Sequence, residues 1–75
     1  MQARPIEPAA IRALKGELGV TNPDIESRTG YTASTISRAM WADKNADRRS
    51  QPAIDKIHAA LCAIREERAA LTPTP

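Results

Sequence analysis

Five residues, Pro8, Gly19, Pro23, Gly30 and Pro52, divide this 75-residue chain into segments too short for anything but a few modest helices. Proline lacks a backbone N–H and has a fixed φ, so it suits the first turn of a helix and disrupts its interior. Glycine ends a helix by adopting the left-handed conformation. Pro8 therefore opens a helix over roughly 8–18, with Ile11, Leu14 and Leu18 as its apolar stripe, and Gly19 closes it. Asn22-Pro23-Asp24 supplies a cap, a first-turn proline and a charge that complements the helix dipole, starting a short helix over 23–29 that ends at Gly30. Thr32 caps a third helix over 33–41, with Ile36, Ala39 and Met40 facing inward and Ile25 awaiting them from the second helix. Residues 42–51 are polar and without period, a loop. Pro52 opens a last helix over about 52–70, striped by Ile54, Ile57, Leu61 and Ile64, with Leu71 beyond a gap at Arg68. Residues 1–7 are a flexible N-terminal arm and 72–75 a disordered tail, leaving one domain over 8–71.

Composition supports the same all-α reading. The apolar fraction is 41%, built almost wholly from alanine, isoleucine and leucine, with no Phe, one Trp and one Tyr. Such a palette suits closely packed short helices, and the alternating β-branched and aromatic runs of a sheet are missing. Cys62 and His58 are the only residues of their kinds, which excludes an internal disulfide and a metal site of the usual Cys/His type. No cofactor, small-molecule ligand or membrane span is expected, and a cytoplasmic setting follows as the default. Catalysis fails on inventory: there is no glycine-rich phosphate loop, no paired carboxylates on a plausible scaffold and no Ser/His/Asp arrangement.

The net charge of +2 gains meaning once located. Residues 31–50 hold Arg38, Lys44, Arg48 and Arg49 against Asp43 and Asp47, while the segments on either side are neutral. From Ser27 to Ala42 there is no acid at all. The segment 22–41 is thus a short helix, a turn at Gly30-Tyr31-Thr32 and a second helix whose outward residues are Thr32, Ala33, Ser34, Ser37, Arg38 and Trp41. A helix that enters the DNA major groove needs small residues at its start, hydrogen-bonding groups along one side and no negative charge. Thr32, Ala33, Ser34, Ser37 and Arg38 are the expected base contacts; Arg28, Tyr31, Lys44, Arg48 and Arg49 are the expected phosphate contacts. Trp41 is expected to pack between this helix and the following loop, and Cys62 to serve as a small buried hydrophobe.

At these residues the chain resembles a known family. DIESRTGYTASTISRAM is similar to the helix-turn-helix of Cro/CI-type (xenobiotic-response-element-like) repressors, most closely in GYTASTISR, where a glycine, an apolar residue, a Ser/Thr cap and a buried isoleucine recur at this spacing. The likeness extends more loosely to the first helix and to QPAIDKIHAAL, which is similar to the family's fourth helix, and covers about 8–64. It implies a four-helix, lambda-repressor-like DNA-binding domain with Thr32, Ala33, Ser34, Ser37 and Arg38 on the recognition face and Ile25, Gly30 and Ile36 as packing residues. The chain departs from the family at Glu26, where a small alanine is usual, and at Thr29, where an apolar residue is usual; a pairing of Glu26 with a nearby arginine could compensate. The loop and long last helix are also similar to small phage-borne regulators, among them anti-CRISPR-associated repressors.

The resulting expectation is a transcriptional repressor, in the nucleoid of a bacterial or phage-infected cell, that binds double-stranded DNA as a homodimer. Leu61, Ile64, Arg68 and Leu71 form the expected dimer surface, because the last helix runs past the point where the other three need it. The alternative is a helical protein-interaction module, antitoxin-like or a phage inhibitor, that uses the same motif as scaffold.

Overall fold

In the computed structural model, which describes residues 6–42 and 50–71, four helices follow one another with no strand among the described residues: α1 (Pro8–Leu18), α2 (Asn22–Thr29), α3 (Ala33–Met40) and α4 (Gln51–Leu71). The arm before residue 6, the loop at 43–49 and the tail at 72–75 lie outside the described residues. Ile6 is not free: it packs against the core, and Gln51 Nε2 donates to its carbonyl at 3.1 Å. Of the arm expected over 1–7, Ile6 is thus held against the core, and residues 1–5 lie outside the described residues.

Helix boundaries follow from local chemistry. Pro8 stands at the start of α1, and Gly19, at φ 66°, lets the Val20 N–H reach back to the Lys15 carbonyl at 3.3 Å. That backward bond closes the helix in the Schellman manner and turns Val20 inward, where it is 3% exposed. The second helix begins one residue earlier than expected, and its cap is Thr21 rather than Asn22. The Asp24 carboxylate accepts from the Thr21 backbone N–H at 3.3 Å and from its hydroxyl at 3.0 Å, the return half of a capping box. Thr32 caps α3 as expected, accepting from the Thr35 N–H at 3.3 Å.

Each short helix turns its apolar side to α4, and α4 packs against all three. Ile11, Ile25, Ile36, Ile57 and Leu61 are fully buried, joined by Leu14, Val20, Ala39, Met40, Ile54 and Ile64 in one cluster. Two expectations about α4 are corrected here. Leu61 is 0% exposed and Ile64 only 6% exposed within a single chain, so neither is left uncovered for a partner. The core reaches a full turn further along α4 than the apolar pattern of the other helices suggested. Only past Ile64 does the helix leave the core, with residues 65–71 all exposed and Leu71 at 81%.

The connection between α2 and α3 contains one buried polar side chain. Thr29, 6% exposed, donates its hydroxyl to the Ile25 carbonyl at 2.8 Å and accepts from the Tyr31 N–H at 3.2 Å. A threonine in place of an apolar residue is thus fully satisfied, and it ties the end of α2 to the residue after the turn. Gly30, at φ 78°, supplies the left-handed step that the turn requires. Thr29→Val keeps the volume but leaves the half-buried Tyr31 N–H without its partner, which should lower stability by about 1–3 kcal/mol. Urea denaturation measures this directly; an unchanged midpoint would mean that the hydroxyl bridge contributes nothing.

Candidate nucleic-acid interface

The outward side of α3 carries no apolar residue larger than alanine until its last turn. Ala33, Ser34, Ser37 and Arg38 are exposed and line one shallow, open concavity, together with Asn22 from the start of α2 and Trp41 from the end of α3. Four of the five residues expected to contact bases therefore share one surface. The fifth, Thr32, is exposed at the head of the helix, where its hydroxyl is shared between the Thr35 N–H and the Thr35 hydroxyl. No acid stands in the first turn of α3, so the positive end of the helix dipole is not offset there.

A second concavity lies between α1 and α3 and shares Asn22, Ser37 and Trp41 with the first. It adds Arg12 and Lys15, and no acidic side chain among the described residues lines either hollow. Arg12 fastens this wall. Its Nη1 donates to the Met40 carbonyl in the last turn of α3, and its guanidinium lies over the Trp41 ring, 4.5 Å from the centroid. Trp41 itself is 72% exposed. The expected packing role is thus corrected: the indole lies on the surface, backed by an arginine from another helix. Asn22, Arg12 and Lys15 were not among the expected site residues. The Thr21-x-x-Asp24 pattern would have moved the cap forward and freed Asn22 for the surface, but nothing local in the sequence brings α1 beside α3.

Arg28 stands elsewhere. It makes a two-pronged ion pair with Glu67 of α4, with N–O distances of 2.7 and 2.5 Å, and lines a separate hollow beside Ile64, Arg68 and Leu71. Hydrogen bonding to Glu67 raises the Arg28 pKa, and the same bonds lower that of the Glu67 carboxyl. A phosphate contact by Arg28 would have to compete with this pair. Glu26, for which a pairing with a nearby arginine could compensate, is half-buried and forms no ion pair among the described residues, while Arg28 pairs with Glu67. Tyr31 is half-buried against the core with Lys56 Nζ 5.1 Å from its ring centroid. Lys44, Arg48 and Arg49 lie outside the described residues. On α4, Cys62 is half-buried, its Sγ 3.7 Å from His58 Nε2, and it accepts from Arg65 at 3.8 Å. Arg68 donates to the Leu18 carbonyl, clasping the end of α1. No helix among the described residues is long and apolar enough to cross a membrane.

The Arg28–Glu67 pair has a pH signature with a definite sign. A carboxyl whose folded pKa is lowered stabilises the fold above its ordinary value of 4.5 and loses that contribution as the pH falls through the lowered value. The raised Arg28 pKa lies above any working pH and plays no part. Thermal melts of the wild type and Glu67→Gln should therefore differ slightly at neutral pH and converge in acid, the effect being small because both groups are solvated. A gap that persists in acid would show that Glu67 acts by something other than its charge.

No protein-family model, curated protein or solved structure matches the chain, so its own residues alone speak to what this surface does.

Proposed function

We propose that the chain is a sequence-specific regulator of transcription that binds double-stranded DNA through α3, in the manner of the Cro/CI-type repressors it resembles. One observation carries the reading: the exposed side of α3 joins small, hydroxyl and guanidinium side chains on a single surface, with no carboxylate lining it among the described residues. Ala33 and Ser34 at its head let the helix approach base edges closely. Ser37, one turn on, offers a hydroxyl that both donates and accepts. Arg38 carries the planar fork that matches the two acceptors of a guanine in the major groove. The turn at Gly30 and the buried Thr29 hydroxyl fix the angle at which α2 and α3 meet, and so the presentation of the face.

Repression follows from occupancy of a promoter, and occupancy from two copies acting together, because one short helix reads only a few base pairs. The homodimer belongs to this proposal, with its surface narrowed to the end of α4. Leu71 is the large apolar side chain exposed there, beyond the point where Leu61 and Ile64 close the core of one chain. Two recognition helices would then read half-sites about 10–10.5 bp apart, or a multiple of that spacing.

Selection from a randomised pool of duplexes should return an inverted repeat with that spacing. Arg38→Ala should remove about 1–3 kcal/mol of discrimination at its base while the thermal midpoint stays unchanged. A pool that shows no enrichment, together with tight capture of a protein partner, would replace this reading with that of a protein-binding module. Sedimentation equilibrium tests the dimer separately: the wild type should self-associate and Leu71→Glu should not. A monomeric wild type that binds an inverted repeat without cooperativity would remove the dimer.

A further inference from the structure

Trp41 is the single tryptophan of the chain, and burying so large a ring ordinarily contributes much to a small core. Here it is spent on the surface, 72% exposed, lining both of the concavities that no acid lines among the described residues. The placement is held rather than loose. Arg12 crosses from α1 to occupy one face of the indole, and the same guanidinium is anchored on the Met40 carbonyl beside it. Arg38 lines one of the two hollows with the ring and Lys15 the other, Ser37 being common to both; Lys15 enters no ion pair among the described residues. The ring is therefore a held wall with a hydrogen-bond donor at its edge, a cation in each adjoining hollow and no carboxylate lining either among the described residues.

We propose that Trp41 is a DNA-contacting residue, against which one sugar–phosphate strand of the duplex lies as it passes between α3 and α1, with Lys15 on the phosphates and Arg12 as a positioning residue that holds the ring. The proposal rests on the DNA-binding reading of α3 and assigns a second point of attachment to it. A sugar offers an apolar surface to the ring, and the adjoining phosphates match the charge of the hollow. A protein partner with an acidic segment would match the charge equally, but it would have no reason to lie alongside the groove-reading face.

Because Trp41 is the only tryptophan, its emission reports this one position. The wild type is titrated with an unlabelled mixed-sequence duplex at low salt, while a fluorescein-labelled copy of the same duplex gives binding by anisotropy. Trp41 emission should be quenched in step with the anisotropy. Trp41→Ala should bind roughly tenfold more weakly with unchanged helix content by circular dichroism. Lys15→Gln should flatten the dependence of log affinity on log salt by about 0.9, the loss of one phosphate contact. Arg12→Gln should weaken binding in the wild type but not in the Trp41→Ala background, the coupling expected of a residue that acts through the ring. Binding with unchanged emission and full affinity of Trp41→Ala overturns the proposal and leaves the DNA reading standing. No binding of the duplex at low salt overturns both.

Discussion

The helix α4 is the element without which none of the others would exist. Two of its partners are eight residues long, well below the length at which an isolated helix is stable in water. They persist because α4, with Ile57 and Leu61 wholly buried, packs against each of the three. The position of α3 is therefore decided by packing on its inner side, where Ile36, Ala39 and Met40 are fixed. That leaves its outer side free to carry residues chosen for something other than stability. Ala33, Ser34, Ser37 and Arg38 contribute little to the core and can vary without moving it.

Charge is sorted across the molecule in a way that the net value of +2 conceals. Arg28 and Glu67 neutralise one another on the side where α2 meets α4, and Arg68 is spent on the Leu18 carbonyl nearby. Arg12, Lys15 and Arg38 gather around Trp41 with no described acid among them. A cation beside the end of α3 is also favourable for the fold itself, since the carbonyls of the last turn carry partial negative charge. Arg12 thus stabilises the helix through the Met40 carbonyl while it supports the ring.

Much of this was legible in the sequence, and the rest failed for identifiable physical reasons. Proline and glycine act on their own neighbours, so the helix ends at Pro8, Gly19 and Gly30 could be placed without tertiary information. The Thr32 cap and the inward set Ile36, Ala39 and Met40 are likewise local. Periodicity says which side of α4 is apolar but not how far along it the other helices reach, which is why Ile64 looked uncovered and is not. Arg28 and Glu67 sit in different helices far apart in the chain, and no rule of spacing joins them. Trp41 was expected to pack against the following loop because so large a ring is usually covered by something; the cation that lies over it comes from α1. Val20 escaped notice because it lies outside every helix and is carried inward by the turn at Gly19.

Isoleucine supplies six of the eleven residues in the core cluster: Ile11, Ile25, Ile36, Ile54, Ile57 and Ile64. A β-branched side chain in a helix is confined almost to one rotamer, so it loses less freedom on burial than an unbranched methionine of similar bulk. The same branching makes each helix a poorer helix when alone. Helices that are weak in isolation and stiff once packed have no intermediate degree of order to rest in. Secondary and tertiary structure should accordingly form and dissolve as a single event, with no stable fragment surviving the loss of its neighbours.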